Sequence, residues 1–323
     1  MKKITILIPT YNEEEVLPTL MKALEQVTKS LHQYHFEFLF VDDGSSDDTT
    51  KLLQQFHIKN SHVEYIELSR NFGKEIAMLA GFDHADGDAV IIMDADLQHP
   101  PEMIPELIHW WEEGYEDVYT VRKEKAEKNP LKRWASNAYY VILQRLTPYE
   151  VHQGAGDFRL LDRKCINALK ALRESERNTK GMYAYIGFRK KALEYEESER
   201  VAGDTKWGFG QLVKLAMDGI TSYSTVPLRM WSVVGLIISF LSFIFLFIEL
   251  FKAIVFGSDV AGYPTLIAAI IFLGGIQLIS LGAIGEYLAR VFIETKNRPP
   301  YFISKTSTED HGELTESDRE HER

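Results

Sequence analysis

The sequence predicts an α/β fold, with a mostly parallel sheet that carries helices on both faces, followed by two transmembrane helices. Three observations support this prediction. Short β-branched runs alternate with helical patterns over the first 120 residues, acidic segments follow several of these runs, and two long apolar stretches lie near the C-terminus. Strands that alternate with helices are typical of parallel sheets, because two parallel strands need a crossover connection that is usually a helix.

Five runs rich in β-branched and other apolar residues predict the strands of this sheet. They cover Ile4–Ile8, Phe36–Val41, Val63–Leu68, Ala89–Met93 and Asp117–Val121. Between the first two runs, apolar residues recur at helical spacing and predict an amphipathic helix; they are Val16, Leu17, Leu20, Met21, Leu24, Val27 and Leu31. Ligands bind such sheets beyond the carboxyl ends of the strands, so functional residues are expected just after each run.

Polar and acidic segments follow three of the predicted strands. They read Pro9-Thr10-Tyr11-Asn12-Glu13, Asp42-Asp43-Gly44-Ser45-Ser46-Asp47 and Asp94-Ala95-Asp96-Leu97-Gln98. Each segment alone is also compatible with a turn or a helix cap. Together they converge on one edge, where neighbouring carboxylates repel unless a cation joins them. Oxygen ligands favour Mg²⁺ or Mn²⁺, and the sequence contains no glycine-rich phosphate loop, so a metal is expected to hold the phosphates of a ligand.

The composition argues against several classes of function. The net charge of −11 disfavours nucleic-acid binding, which needs clustered Lys and Arg. A single cysteine, Cys165, excludes an intramolecular disulfide and a cysteine-rich metal site. The ten histidines show no His-x-x-x-His spacing, so zinc is not expected.

Two apolar stretches near the C-terminus are long enough to cross a membrane. Met230–Ile248 is 19 residues without a charge and Pro264–Gly285 is 22, and a spanning helix needs roughly 20 residues for ~30 Å of hydrocarbon. Buried core helices are the alternative interpretation. The outer flanks carry the basic residues Arg229, Arg290, Lys296 and Arg298. The positive-inside rule therefore places both termini and residues 1–229 in the cytoplasm of a multi-pass plasma-membrane protein.

Residues 129–149 predict an aromatic, basic amphipathic helix. Its apolar face comprises Leu131, Trp134, Ala135, Ala138, Tyr139, Ile142, Leu143 and Leu146. Such a helix either lies in a membrane interface or packs on the sheet. In the first case, hydrogen-bond donors for a lipid phosphate are expected at the membrane surface from Arg122, Lys132, Arg133 and Ser136.

The series PTYNEE, VDDGSSDDT and DADLQ, each after a strand, resembles the nucleotide-sugar domain of family 2 glycosyltransferases, which have the GT-A fold. The resemblance covers about residues 1–227. Within that family, Gln98, the segments QGAGDFRL and AGDTKW and the two C-terminal spans are similar to the polyprenyl-phosphate glycosyltransferases, such as dolichyl-phosphate mannosyltransferase and the bactoprenol glucosyltransferases. This group implies a nucleoside-diphosphate sugar donor, Mg²⁺ or Mn²⁺, and a lipid phosphate acceptor.

The resemblance also implies roles for individual residues. The nucleotide-binding set is Pro9, Tyr11, Glu13, Asp42, Arg70 and Asp94, with Arg70 assigned either to the nucleotide or to the entry of the next helix. The metal set is Asp94, Asp96 and Gln98. Asp157 matches the catalytic carboxylate, as a base or as an orienting group. Arg200 and Lys206 match basic positions that join Arg122, Arg133 and Ser136 around the acceptor phosphate, although Glu197 replaces the first Arg of that motif.

This resemblance implies a metal-dependent, inverting transfer of a sugar to polyprenyl (undecaprenyl) phosphate at the cytoplasmic face of the membrane, supplying lipid-linked sugar for cell-envelope polymers. UDP-glucose and UDP-N-acetylglucosamine are the expected donors, and nothing in the sequence separates them or excludes GDP-mannose. One alternative is a processive polysaccharide synthase, whose Gln-x-x-Arg-Trp motif is broken here by Pro130 before Arg133-Trp134. The other is a catalytically inactive membrane scaffold.

The predicted organisation has three parts. Residues 1–229 form the catalytic domain, residues 230–292 form two membrane helices, and residues 293–323 form an acidic, disordered cytoplasmic tail. Small residues in the membrane helices suit close packing, either within one chain or between the subunits of a homo-oligomer; they are Gly235, Gly274, Gly275, Gly282 and Gly285.

Overall fold

The computed structural model describes residues 1–122, 155–175, 177–195 and 262–307, together with isolated residues between 237 and 255. The chain divides into two units. The first comprises residues 1–144, 148–207 and 298–323, and the second comprises residues 145–147 and 208–297.

The first unit is built on one sheet of eight strands, in the order β7-β5-β6-β4-β1-β2-β3-β8. Its strands are β1 (Lys2–Thr10), β2 (Tyr34–Asp42), β3 (Val63–Leu68), β4 (Ala89–Ile92), β5 (Asp117–Arg122), β6 (Ala155–Asp162), β7 (Lys190–Tyr195) and β8 (Ile303–Thr306). Its helices are α1 (Leu17–Thr28), α2 (Thr49–Lys59), α3 (Lys74–His84), the 3₁₀ turn Pro101–Met103, α4 (Ile104–Glu112), α5 (Arg163–Ala171) and α6 (Thr179–Tyr185).

The strand directions confirm the predicted α/β fold with a mostly parallel sheet. Strands β3, β2, β1 and β4 are adjacent and parallel. Strand β6 runs antiparallel to β4 and to β5, and β7 pairs in parallel with β5. All five predicted strands are present, with ends within two residues of the predicted ones. The β-branched runs were informative because a strand covered on both faces has to be apolar along nearly its whole length.

Apolar side chains cover both faces of this sheet, as the pattern predicted. Along β1, Ile6 packs in a cluster with Leu20 of α1, whereas the next residue, Leu7, packs in a second cluster with Met78 of α3. Successive side chains of a strand point to opposite faces, so one strand serves both layers. The sheet is therefore held from both sides, and its carboxyl edge is a rigid base for a site.

The segment after the last helix differs from the disordered tail that the sequence predicts for residues 293–323. Strand β8 pairs antiparallel with β3, and the Tyr301 hydroxyl donates to Asp83 at 2.9 Å. Pairing of this kind covers an edge strand that would otherwise present free N–H and C=O groups. Local composition did not reveal it, because the partner strand lies more than 200 residues earlier in the chain. The residues after 307 lie outside the described part.

In the second unit, the structure describes one long helix, α7 (Tyr263–Thr295). Its segment Phe272–Thr295 has 24 residues and a mean hydropathy of 1.4, and none of its most apolar stretch is buried. By length and composition this segment can cross a membrane. It overlaps the predicted span Pro264–Gly285 but extends further. The other predicted span, Met230–Ile248, is described only at isolated helical positions, so the second span stays a prediction.

Candidate active site

The loops that follow β1, β2 and β4 meet at the carboxyl edge of the sheet. Strand β1 lies between β2 and β4, and Thr10 at its end pairs with Asp42 at the end of β2. Asp43 N–H then donates to Thr10 O at 2.9 Å, and Met93 N–H donates to Leu7 O at 3.0 Å. The three polar segments predicted to converge are therefore brought to one edge, as parallel strands require.

The loops after β1 and β2 hold each other in place. Asn12 has a φ of 55°, a left-handed conformation that Asn tolerates better than most residues. Its side-chain oxygen accepts a hydrogen bond from Ser46 N–H at 2.8 Å, and its own N–H donates to Ser45 Oγ at 2.9 Å. Glu13 N–H donates to Thr49 Oγ1 at 2.9 Å. Tyr11 lies in this loop with 46% of its surface exposed, so its ring is accessible to a ligand.

Asp42 and Asp43 are both buried but have different surroundings. Asp42 accepts hydrogen bonds from the hydroxyls of Ser45 and of Thr50, the latter at 2.7 Å. Asp43 accepts from the backbone N–H groups of Phe72 and Gly73 at 2.7 and 2.8 Å. Burial raises the pKa of Asp43, although these two N–H groups act in the opposite direction. Asp43 thus anchors the loop that leads into α3.

The acidic turn after β4 is shaped by its own backbone and by His99. Leu97 has a φ of 59°, and Gln98 N–H donates to Asp96 Oδ1 at 3.1 Å. Asp94 N–H donates to His99 Nδ1 at 3.3 Å. Burial lowers the pKa of His99 despite the nearby Asp94 carboxylate, so the imidazole is neutral and Nδ1 can accept this bond. Sequence reasoning did not single out this histidine.

Lys74 joins the acidic turn to Asp157. Its ammonium lies 2.6 Å from Asp94 Oδ1 and 2.9 Å from Asp157 Oδ2. Burial would raise the pKa of Asp157, but the cations around it, Lys74 first and then Lys180 and Arg159, together hold that pKa below its usual value. Burial would likewise lower the pKa of Lys74, yet the two carboxylates raise it. At neutral pH Lys74 and Asp157 are therefore both charged.

Lys74 is the principal site residue that sequence reasoning missed. One signal was available: Lys74 is the first residue of α3, directly after Gly73. A cation at a helix N-terminus opposes the helix dipole, so its presence there calls for a compensating acidic group nearby.

A buried ion pair fixes the strand that carries Asp157. Two residues further along β6, the Arg159 guanidinium lies 3.2 Å from both carboxylate oxygens of Asp117 on β5. The same guanidinium lies 3.6 Å from the ring centroid of Tyr183. Removing either member would leave an uncompensated buried charge, so the pair holds β5 and β6 in register behind the site.

The remaining predicted site residues are either seen only in local contacts or lie outside the described part of the chain. Arg70 donates to the carbonyl of its neighbour Asn71 at 2.8 Å, and its guanidinium lies 3.9 Å from the Phe72 ring centroid. Arg122 is the last residue of β5. Outside the described residues lie the helix predicted over 129–149 and four predicted acceptor-site residues, Arg133, Ser136, Arg200 and Lys206. Their roles stay predictions.

The acidic turn fits a divalent cation that a ligand helps to bind. Asp94, Asp96 and Gln98 offer only oxygen and amide groups, and the Lys74 ammonium on Asp94 shows that the turn attracts positive charge. Among the residues that the structure describes, no cluster of three or more His, Cys, Asp or Glu could hold a metal by itself. Mg²⁺ is usually bound by one or two carboxylates together with substrate phosphates, which is compatible with this arrangement.

The sheet and its acidic carboxyl edge define a glycosyltransferase of the GT-A type. Residues 5–169 match the family model described as glycosyl transferase family 2. The chain belongs to glycosyltransferase family 2.

Several relatives match over nearly the whole chain. A glycosyltransferase of Synechocystis is 45% identical over 94% of this chain and 95% of its own length. A bactoprenol glucosyl transferase of Shigella flexneri, derived from prophage SfII, is 40% identical over 94% of this chain and 98% of its own. Among solved structures, the mannosyltransferase PcManGT of Pyrobaculum calidifontis, in complex with GDP-Man and Mn²⁺, is 16% identical with a TM-score of 0.44, covering 91% of this chain and 86% of that one.

Proposed function

We propose that the protein transfers glucose from UDP-glucose to a polyprenyl phosphate, with inversion at the anomeric carbon, and that its products are glucose-linked polyprenyl phosphate and UDP. One observation carries this proposal: Lys74 contacts both Asp94 and Asp157 at the carboxyl edge of the sheet, where the loops after β1 and β2 also lie. The choice of glucose and of a polyprenyl acceptor is supported by the relatives named bactoprenol glucosyl transferase, which match along almost their entire length.

The donor would lie across the ends of β1, β2 and β4. Pro9, Tyr11, Glu13, Asp42 and Arg70 are the proposed contacts of the base and ribose, and the exposed Tyr11 ring suits stacking on a planar base. Asp94, Asp96 and Gln98 would hold Mg²⁺ or Mn²⁺ beside the diphosphate. An ion bound there would neutralise negative charge on the leaving diphosphate.

The reaction needs positioning more than proton removal. An oxygen of the acceptor phosphate is already an anion; it forms a bond to the anomeric carbon while the bond from that carbon to the donor diphosphate breaks, and UDP leaves. A single displacement inverts the anomeric configuration. The protein has to hold two mutually repelling phosphates in line, and Asp157, which is ionised, would orient the acceptor or act as a base toward it.

A lipid acceptor requires contact with a membrane. The exposed apolar segment Phe272–Thr295 supports one span, and we propose Met230–Ile248 as a second, so that both termini lie in the cytoplasm where nucleotide sugars are available. The donors proposed for the lipid phosphate are Arg122, Arg133, Ser136, Arg200 and Lys206. Phosphate recognition by several such groups is common, because charged hydrogen bonds are stronger than neutral ones.

A donor panel tests the function directly. Purified protein with undecaprenyl phosphate and radiolabelled UDP-glucose should form a lipid-soluble labelled product, whereas UDP-N-acetylglucosamine and GDP-mannose should give much less. If only a different donor gave labelled lipid, glucose would be the wrong sugar and that donor's sugar would replace it. A labelled polymer would indicate a processive synthase, and no transfer from any donor would favour an inactive scaffold.

A cysteine-labelling experiment tests the proposed topology. The native Cys165 is buried, so it contributes little background. Ser258 lies between the two proposed spans, in the segment that this topology places outside the cell. Cysteine introduced there is expected to react with a membrane-impermeant maleimide on intact cells. Cysteine at Ser317, in the acidic tail, should react only after the cells are permeabilised. The opposite pattern would contradict a cytoplasmic active site.

A further inference from the structure

Lys74 is placed where it can control two carboxylates at once. Asp94 follows β4 and Asp157 lies on β6, and these two strands are adjacent, with Ile92 paired to Arg159. The Lys74 ammonium reaches them from a third element, α3, at 2.6 and 2.9 Å. One cation therefore connects the turn proposed for the donor with the carboxylate proposed for the acceptor.

The backbone around Lys74 is held on both sides. Before it, the N–H groups of Phe72 and Gly73 bind the buried Asp43 carboxylate. After it, Glu75 accepts a hydrogen bond from Thr179 N–H at 2.8 Å. Lys74 thus starts from a fixed backbone position, and only the rotamer freedom of its own side chain is lost when it binds its two partners.

Asp157 depends strongly on this contact. Its side chain is only 12% exposed, and within the described part of the chain its Oδ1 atom has no hydrogen-bond partner. Lys74 is the partner of Oδ2. Without the Lys74 ammonium, the buried Asp157 carboxylate would lose this hydrogen bond. Its negative charge and that of Asp94 would then repel each other.

We propose that Lys74 is a positioning residue: it holds Asp157 in its productive orientation and, before the donor binds, competes with a divalent cation for Asp94. This inference rests on the proposed function for the role of Asp157 and for the metal. It makes two separable claims, one about turnover and one about metal affinity in the absence of donor.

The test measures Mn²⁺ alone, by titration calorimetry or by the free-Mn²⁺ electron spin resonance signal, in the full-length protein. Lys74→Met removes a positive charge from the site, so Mn²⁺ should bind about tenfold more tightly than to the wild type. With donor and acceptor present, kcat should fall by about a hundredfold because Asp157 is no longer held. The KM for UDP-glucose should change much less.

Three further variants make the result specific. Lys74→Gln should behave like Lys74→Met, and Lys74→Arg, which keeps a cation, should bind Mn²⁺ as weakly as the wild type. Lys164→Met removes an exposed lysine that pairs with Glu116 at 3.1 Å outside the site, and it should change neither quantity. Thermal unfolding of each variant verifies that it is folded.

Several outcomes would overturn the proposal. Unchanged or weaker Mn²⁺ binding in both neutral variants would show that Lys74 does not compete for Asp94. Loss of UDP binding as severe as in Asp96→Asn would make Lys74 a donor contact, and failure of both neutral variants to fold would make it a structural ion pair. The Mn²⁺ titration needs no substrate, so it remains decisive even if the donor panel were to show no glucose transfer.

Discussion

Replacing Asp96 by asparagine is expected to lower sugar transfer by at least about a hundredfold, since Lewis-acid assistance to a leaving group is worth several kcal/mol. The change keeps the size of the side chain and removes one negative charge from the turn after β4. Titration of the Asp96→Asn variant with UDP in the presence of Mn²⁺ should show weaker UDP binding than in the wild type. The wild type treated with EDTA should lose activity to a similar extent and recover it when Mg²⁺ or Mn²⁺ is added.

A carboxylate of the same type offers a matched control. Asp86 is 67% exposed and pairs with Lys3 near the start of β1, at the opposite edge of the sheet. Asp86→Asn should therefore leave transfer and UDP binding unchanged, because exposed ion pairs contribute little. Full transfer in EDTA, with no metal carried over in the protein, would show that the acidic turn acts without a divalent ion.

Asp157→Asn should depress turnover by about 10²–10⁴, the range found for positioned groups that act in the transition state. The variant keeps the shape of the side chain, and β6 remains fixed by the Arg159–Asp117 pair. UDP should bind with nearly its normal affinity, because Asp157 is assigned to the acceptor side. Single-turnover kinetics with saturating substrates measures the chemical step separately from binding.

The ionisation of Asp157 gives this prediction a pH signature. Against the effect of burial, Lys74 together with Lys180 and Arg159 holds the pKa of Asp157 below its usual value, so the carboxylate is charged throughout the neutral range. Its contribution to stability is present above the ordinary carboxylate pKa and is lost only as the pH falls through the lowered one. Turnover should therefore not depend on Asp157 titration between pH 6 and 8. If Asp157→Asn lost as much UDP affinity as turnover, the assignment of Asp157 to the acceptor side would be contradicted.

Local sequence patterns were sufficient for the centre of the fold. The run Val63–Leu68 coincides with β3, and the helical spacing from Leu17 onward marks α1. Both signals arise from burial against near neighbours, which requires apolar residues at regular intervals. The same reasoning located the polar segments after β1, β2 and β4, because parallel strands place their carboxyl ends at one edge.

Patterns were insufficient where a residue depends on a distant partner. Nothing near Ile303–Thr306 indicates a strand, since its partner β3 lies far back in the chain. Likewise, Phe158 stacks on His99 at a centroid distance of 5.0 Å, yet 59 positions separate the two in sequence. Contacts of this kind are made by the packing of whole elements, and residue periodicity carries no record of them.

The sequence by itself determined the α/β class, the positions of the central strands along the chain, an apolar C-terminal helix and the acidic turns of a family 2 glycosyltransferase. These features follow from local periodicity and from motifs that lie within a few residues. Only the tertiary structure placed the Lys74 ammonium between Asp94 and Asp157. Three elements must pack before that cation and those carboxylates meet, and the physical reason is that charge pairing acts through space, between groups that the chain order keeps apart.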